Sequence, residues 1–367
     1  MARSFQIAVF EGDGIGPEIT GPTVQLLRAC AAQAKTYVFD FRALPAGAAH
    51  YAKTGESLPP QALEAATQAD AILLSAMGLP DVRYPDGTEI SPQIDLRKEL
   101  DLFAGVRPVR VPPGGLTPLN LPDDTGIDFV LIRESTEGLF FSQAKGDVSE
   151  TEATETLRIT RETSEKLFQF AFNLAKGRRA KGHGPGRVTC VDKANVFRAF
   201  AFFRGIFDEI AKEHPDIGAD HAYVDATALW MVQKPETFDV LVTENMFGDI
   251  LSDLGAGLMG GLGLAPSADI GLKHAVFQPC HGSAPDIAGK SVANPFAMVL
   301  SAAMMLDWLG DRHGIPEMVE NADAIRAAVD HQVLTRGTVT PDLGGTATTA
   351  QAAAAIQESV APGVIAA

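Results

Sequence analysis

Residues 244–253, ENMFGDILSD, carry two aspartates, Asp249 and Asp253, four positions apart. On a helix this spacing places both carboxylates on one face, one turn apart, where like charges repel. A hard divalent cation such as Mg²⁺ or Mn²⁺ compensates such a pair, since it prefers oxygen ligands. The plain alternative is two solvated surface aspartates. The apolar, glycine-rich stretch that follows, residues 254–266 (LGAGLMGGLGLAP), favours a buried metal site over that alternative.

Short apolar runs alternate with longer amphipathic segments in the rest of the chain, which is typical of an α/β fold with a largely parallel sheet. We predict strands at 5–10, 37–41, 71–75, 129–133, 187–191, 222–225 and 240–243. We predict helices at 17–34, 160–176, 197–212, 247–257, 295–309 and 322–334. The tail of small residues at 350–367 is predicted to fray.

Composition limits the classes of function. The chain has 367 residues, enough for two domains, and a net charge of −16 without a Lys/Arg-rich run. Nucleic acid and anionic membranes are therefore poor partners, and an acidic metabolite must be held by local arginines and a metal. Three widely spaced cysteines match neither a disulfide framework nor a zinc pattern. We predict a cytoplasmic protein with no nucleic-acid or membrane partner.

Three arginines are candidates for holding carboxylates. Arg97 and Arg107 lie in LRKELDLFAGVRP, and Arg133 begins RESTEG. Guanidinium groups bind carboxylates through paired, charge-assisted hydrogen bonds. Arginines on helices are mostly solvated, but Arg133 ends an apolar strand, where ligand sites of α/β sheets gather.

Lys193 and Asp225 are candidates for proton transfer. Lys193 lies just past a predicted strand, in VDKAN, and a lysine beside a metal can act as a base. A salt bridge between Lys193 and the neighbouring Asp192 is the simpler interpretation. Asp225 is predicted to close its strand, in YVDA, and to supply a third carboxylate to the metal.

Two glycine-containing loops remain. GDGIGPE at 12–18 follows the first strand but lacks the third-glycine spacing of a dinucleotide fingerprint, so a structural turn competes with a ligand loop. The loop HGSAPD that begins at His281 has small residues whose backbone can lie against a nucleotide. Asp286 can accept hydrogen bonds from a ribose diol, and its charge would repel a 2′-phosphate.

Together these motifs resemble those of the β-decarboxylating dehydrogenases, the family of isopropylmalate, isocitrate, homoisocitrate, tartrate and D-malate dehydrogenases. The resemblance covers residues 5–350 and rests on EGDGIGPEI, LRKELDLFAGVRP, RESTEG, VDKAN, YVDA, GDILSD and HGSAPDIAGKSVANP. It implies a two-domain α/β subunit, unrelated to the Rossmann fold, in a homodimer with shared active sites. Residues 1–102 and 260–367 would form the cofactor-side domain, and 103–259 the second domain with an arm at about 140–160.

The resemblance also implies residue roles. Arg97, Arg107 and Arg133 would grip the malate carboxylates, and Lys193 and Asp225 would be catalytic. Asp249 and Asp253 would hold Mg²⁺ or Mn²⁺, with Lys193 and Asp225 reaching in from the partner subunit. The cofactor would be NAD, because NADP-dependent relatives carry a basic pair in place of Asp286 and Ile287. The implied cofactor-binding residues are His281, Gly282, Ser283, Ala284, Asp286 and Asn294.

The chain departs from this family at Phe140. Relatives have a tyrosine there, seven positions after the arginine of RESTEG, which protonates the enol carbon once carbon dioxide has left. A phenyl ring has no proton to give. Ser91 matches the position at which isocitrate dehydrogenases hold a third carboxylate, whereas VDKAN and HAYVDA are similar to isopropylmalate dehydrogenases.

Three hypotheses follow from these features. The first is NAD- and metal-dependent oxidation and β-decarboxylation of a 3-substituted D-malate, with isopropylmalate favoured. The second is a tartrate-, D-malate- or isocitrate-type dehydrogenase that decarboxylates poorly or not at all, because Phe140 replaces the tyrosine. The third is a non-catalytic regulatory subunit, which would be expected to lose metal or lysine residues that this chain keeps.

Overall fold

A computed structural model of the chain describes residues 2–143 and 145–363. The described residues divide into two compact units. The first unit falls within Met1–Leu100, Gly260–Ala268 and Leu272–Ala367, and the second comprises Asp101–Met259 and Asp269–Gly271. No helix in the described ranges is both long enough and apolar enough to span a bilayer.

The described residues form twelve strands and eleven helices. The strands are β1 (Arg3–Phe10), β2 (Tyr37–Ala43), β3 (Ala71–Leu74), β4 (Ala104–Val111), β5 (Ile127–Glu134), β6 (Asp147–Val148), β7 (Ala153–Thr154), β8 (Arg187–Asp192), β9 (Gly218–Tyr223), β10 (Val240–Thr243), β11 (Pro266–Ile270) and β12 (Ala275–Pro279). The helices are α1 (Gly16–Ala34), α2 (Ala48–Thr54), α3 (Pro60–Gln68), α4 (Pro92–Glu99), α5 (Arg161–Ala180), α6 (Arg198–Ala211), α7 (Val224–Gln233), α8 (Asn245–Leu258), α9 (Phe296–His313), α10 (Pro316–Thr335) and α11 (Thr349–Val360).

The first unit contains parallel strands covered by long helices. β1 pairs with β2 and β3, and β3 pairs with β12, all in parallel. Each residue of β3 is buried, as expected for a strand covered on both faces. Helices α1, α9, α10 and α11 pack on one another, and the alanine-rich α11 contributes a buried face.

The second unit has a sheet in the order β4-β5-β10-β8-β9. The last four strands run parallel, and β4 is antiparallel to β5. Helices α5 and α6 pack together through phenylalanine rings, among them Phe168 and Phe203 with centroids 4.6 Å apart. β6 and β7 form a separate antiparallel hairpin within residues 140–160. The predicted α/β class with a mostly parallel sheet is confirmed.

Two local predictions were wrong. Residues 222–225 do not continue as a strand: β9 ends at Tyr223 and Asp225 lies in the first turn of α7, where a carboxylate interacts favourably with the helix dipole. The tail is not frayed over most of its length. Thr348 and Gln351 form a reciprocal capping box that starts α11, and the buried face of this helix holds it in place. Residues 364–367 lie outside the described part of the chain.

Candidate active site

Asp249 and Asp253 lie on α8, as their spacing predicts. The helix begins after Glu244, whose side chain accepts a hydrogen bond from the backbone N–H of Phe247 at 2.8 Å. α8 packs closely on β5, because a Cβ at Gly248 would lie 2.6 Å from the Cβ and Cγ of Arg133. The prediction that these two aspartates form a buried site is wrong for the single chain. Both are exposed, and the Asp249 side chain is 51% accessible.

Arg133 and Arg107 are buried beside these carboxylates in the second unit. The Arg133 guanidinium contacts Asp249 through Nη1, and its Nε donates to Oδ1 of Asn245 at 2.9 Å. Arg107, on β4, pairs with the buried Asp269 at 3.1 Å. Partial burial and the charge of Asp249 raise the pKa of Asp253, while Arg133 and Arg107 oppose that rise.

This arrangement fits both an acidic ligand and a divalent cation. Two buried guanidinium groups can bind carboxylates in a bidentate manner. Two exposed carboxylates one turn apart present only oxygen donors, which is the chemistry Mg²⁺ and Mn²⁺ prefer. Repulsion by Asp249 adds to the effect of burial in raising the pKa of Asp253, and a bound cation would relieve that repulsion.

Lys193 pairs with Asp225 and not with Asp192. Nζ of Lys193 lies 2.7 Å from Oδ1 of Asp225. Asp192 is fully buried and instead receives two hydrogen bonds of 2.7 Å from Arg204, so the simpler interpretation of Lys193 was wrong. The hydrogen bond from Lys193 lowers the pKa of Asp225, which keeps that carboxylate ionised.

The two acidic positions do not meet within one chain. Among the described residues, no three His, Cys, Asp or Glu side chains are grouped so that they could hold a metal ion. Asp225 therefore does not join Asp249 and Asp253 as a third ligand in the single chain. Its contribution from a partner subunit stays a prediction.

Ser91 and Arg97 lie on α4 in the first unit. Ser91 occupies the N-cap position, and its hydroxyl donates to the carbonyl of Glu89 at 3.2 Å. Arg97 lies in the last turn of the same helix and is half-buried. Their predicted substrate contacts stay predictions.

The GDGIGPE turn supports the HGSAPD loop. The N–H of Ile15 donates to the carbonyl of Ser283 at 2.8 Å, and a Cβ at Gly14 would lie 2.0 Å from that oxygen. Gly14 has φ 57°, which glycine adopts without strain. The hydroxyl of Ser283 donates to the carbonyl of Gly78. The loop is thus fixed at Ser283 by a turn that only glycine allows.

The rest of the HGSAPD loop leaves groups available to a ligand. Nε2 of His281 is buried without a hydrogen-bond partner in the described part of the chain, and burial lowers the pKa of this histidine. Gly282 and Asp286 are exposed. A Cβ built on Gly282 would have no atom of the described residues within 4 Å. Ala284 has φ 38°. A nucleotide cofactor fits this donor set.

Asn294 is already engaged by the protein. Its Nδ2 donates to Asp342 at 2.9 Å, and its Oδ1 accepts from the N–H of Phe296 at 2.9 Å. These bonds hold the start of α9, so a cofactor contact of Asn294 would have to share them.

Comparisons with known proteins identify the family of this chain. The sequence matches the family described as Isocitrate/isopropylmalate dehydrogenase over residues 6–360. The chain belongs to that family. The 3-isopropylmalate/3-methylmalate dehydrogenase of Methanocaldococcus jannaschii is 42% identical over 97% of this chain and 98% of its own. The 3-isopropylmalate dehydrogenase of Listeria innocua is 41% identical over 94% and 95%.

Solved structures of this family have the same fold. The isocitrate dehydrogenase of Methylococcus capsulatus superposes with a TM-score of 0.83 at 38% identity, over 97% of this chain and 99% of its own. A β-decarboxylating dehydrogenase of Thermococcus kodakarensis gives 0.78 at 36% identity, over 97% and 96%. The predicted family, fold and enzyme class, a hydroxy-acid dehydrogenase, are confirmed.

Sequence reasoning missed the residues that surround Arg133. Asn245, Glu134 and Glu137 are all buried. Asn245 accepts from the guanidinium, and Glu134 and the carbonyl of Glu137 accept from the Asn245 amide. The sequence did contain a signal for these residues: polar side chains stand directly at the ends of the apolar strands β5 and β10. Polar groups buried at such positions need hydrogen-bond partners.

Proposed function

We propose that the protein oxidises a 3-substituted D-malate, with 3-isopropylmalate the leading substrate, using NAD and Mg²⁺ or Mn²⁺, and that β-decarboxylation follows. The observation that carries this proposal is that the buried Arg107 and Arg133 lie beside the exposed Asp249 and Asp253, with Arg133 paired to Asp249. The names of the two 3-isopropylmalate dehydrogenases reported above support the choice of substrate.

The side chains have complementary roles in this proposal. Arg97, Arg107 and Arg133 hold the substrate carboxylates, and Lys193, kept beside Asp225, takes the proton of the 2-hydroxyl. Asp249 and Asp253, with Asp225 of the partner subunit, hold the cation. When bound, NAD accepts the hydride and the cation withdraws electron density from the hydroxyl and its neighbouring carboxylate.

For the cofactor, we propose contacts to the HGSAPD loop. His281 offers its buried Nε2, and Gly282, Ser283 and Ala284 offer backbone groups. The exposed Asp286 accepts from the ribose diol and repels a 2′-phosphate, which favours NAD over NADP. Asn294 contributes from the start of α9.

The exposed apolar side chains of α7 and α8 support a homodimer. Leu229, Val232, Met246 and Ile250 are all exposed on these two helices, which pack against each other and carry Asp225 and Asp249. An apolar patch beside charged site residues is typical of a subunit interface. The hairpin within 140–160 would be the clasping arm. The same proposal includes two domains, one formed by residues 1–102 with 260–367 and the other by residues 103–259. It also includes a cytoplasmic location.

Shared sites can be tested by mixing two inactive variants. Lys193→Met and Asp249→Asn each remove a different half of the site, so each homodimer should be inactive. Random re-association of the two variants should restore about a quarter of the wild-type activity, because half of the dimers would then have one intact site. No recovery, although exchange of subunits is shown by mass, would contradict a shared site.

Disrupting the apolar patch tests the interface itself. Leu229→Glu combined with Ile250→Glu should give monomers in sedimentation and abolish turnover. Leu334→Glu changes an exposed leucine on α10 and is the matched control. Monomers in the wild type would contradict the homodimer.

The contact between Phe140 and Arg133 favours a second candidate function, oxidation of a tartrate- or D-malate-like acid without decarboxylation. The ring centroid of Phe140 lies 5.0 Å from Cζ of Arg133, so a side chain without a hydroxyl occupies this place beside the candidate site. The substrate test is a panel of 3-isopropylmalate, D-malate, tartrate and isocitrate with NAD and Mn²⁺. NADH and carbon dioxide are measured together. Equal yields from 3-isopropylmalate support the first function, NADH without carbon dioxide supports the second, and no NADH from any acid favours a binding subunit.

A further inference from the structure

Asn245, the first residue of α8, is a buried amide with every polar atom used. It is 1% exposed. Its Oδ1 accepts from Nε of Arg133 at 2.9 Å, and its Nδ2 donates to the carbonyl of Glu137 at 3.0 Å and to Glu134 at 3.4 Å. Its orientation is therefore determined, because only one arrangement of O and N satisfies all three bonds.

This orientation limits the Arg133 side chain. The bond from Nε to Asn245 restricts the plane of the guanidinium, and Nη1 of the same group contacts Asp249. The ring of Phe140 lies 5.0 Å from Cζ. An arginine held in this way has already lost the rotamer freedom that carboxylate binding would otherwise cost.

The same amide connects Arg133 to the base of residues 140–160. Glu137, whose carbonyl receives the Asn245 amide, accepts through its carboxylate from the N–H and hydroxyl of Thr160, both at 2.8 Å. Arg158 lies 3.3 Å from the same carboxylate, and Gly138 pairs with Arg158 by two backbone hydrogen bonds. The C-terminal end of this segment is thus held to Glu137, whose carbonyl accepts from Asn245, the residue that bonds to Arg133.

We propose that Asn245 is a positioning residue that sets the guanidinium of Arg133 for binding the substrate carboxylate and couples it to the base of the 140–160 segment. The proposal rests on the function proposed above for Arg133. Asn245 itself touches neither substrate nor cofactor; it acts through the arginine.

The first test separates hydroxy-acid binding from cofactor binding. Asn245→Ala should raise KM for 3-isopropylmalate about tenfold to hundredfold, the range for losing a hydrogen bond to a charged group, and leave KM for NAD unchanged. Asn321→Ala is the matched control, because that amide also donates one side-chain bond, to Tyr37 at 2.8 Å, in the first unit. An unchanged KM for the acid, or an equal change for both ligands, would overturn the proposal.

The second test is a double-mutant cycle. Lysine has no Nε–H, so in an Arg133→Lys background Asn245→Ala should have little further effect on KM for the acid. If the double variant instead changes KM for the acid by the product of the two single changes, Asn245 acts independently of Arg133.

A third measurement does not require turnover. With ¹⁵N-labelled arginine, the Nε–H signal absent from Arg133→Lys identifies Arg133, and this proton should exchange slowly with solvent in the wild type. Asn245→Ala should make its exchange fast. If the wild type oxidises none of the acids, the proposed function fails, and this measurement alone then decides whether Asn245 positions Arg133. An Nε–H exchange rate that is unchanged in Asn245→Ala would refute the positioning role.

Discussion

Glu134 offers a test of how burial changes an acid next to Arg133. It ends β5 with 4% of its surface exposed, and its carboxylate accepts from the N–H and hydroxyl of Thr136, both at 2.6 Å, and from the N–H of Glu137 at 2.8 Å. Burial raises the pKa of Glu134 to about 7, and the hydrogen bonds from Thr136 and Glu137 limit the rise.

This rise has a definite sign for stability. The folded protein binds the Glu134 proton more tightly than the unfolded chain does, so the stabilising contribution is complete below pH 4.5. It is lost as the pH rises from 4.5 to about 7 and stays lost above that. At about 1.4 kcal/mol per pH unit, the total loss is about 3 kcal/mol.

Glu134→Gln removes this titration. The amide cannot accept all the hydrogen bonds of the carboxylate, which gives a cost independent of pH. The difference in unfolding free energy, variant minus wild type, should therefore rise by about 2–3 kcal/mol between about pH 5 and about pH 8. Denaturant unfolding at intermediate pH values measures it. Glu64→Gln removes an exposed carboxylate on α3 and controls for the loss of one charge. A difference that does not change with pH would refute the reasoning.

Two further substitutions test packing and charge burial. Gly248→Ala would place a methyl group 2.6 Å from Cβ and Cγ of Arg133. We therefore expect the free energy of unfolding, measured by thermal unfolding, to fall by about 1–3 kcal/mol and KM for the acid to rise. The control is Gly257→Ala, on the same helix with open space at its Cβ, which should not raise KM. Asp239→Ala removes the buried acceptor of Arg178 Nε at 2.8 Å and of two backbone N–H groups, so we expect about 3–5 kcal/mol in denaturant unfolding. Glu165→Ala breaks an exposed pair with Arg161 and should cost less than about 1 kcal/mol.

Local signals predicted much of the fold, and long-range contacts explain what they missed. The apolar runs gave the parallel strands, and the four-residue spacing gave the common face of Asp249 and Asp253. The partner of Lys193 was not predictable, because Asp192 and Asp225 are equivalent candidates until the chain folds. The bond between Arg133 and Asn245 joins residues 112 positions apart, which no local pattern encodes.

The contact between Phe140 and Arg133 separates two roles that one tyrosine would combine. A ring 5.0 Å from Cζ of an arginine stabilises the cation through its face, and this needs no hydroxyl. Protonating a carbon after decarboxylation does need one. Phe140→Leu should therefore weaken acid binding without changing the ratio of carbon dioxide to NADH, because it removes only the ring.

Phe140→Tyr makes the complementary change, since it keeps the ring and adds a proton donor. If the missing phenol slows protonation of the enol carbon in the wild type, so that carbon dioxide adds back before it escapes, this variant should raise the ratio of carbon dioxide to NADH towards one while KM for the acid stays the same. A wild-type ratio already equal to one would mean that another group supplies the proton. Phe140 would then matter only as the surface against which Arg133 is held.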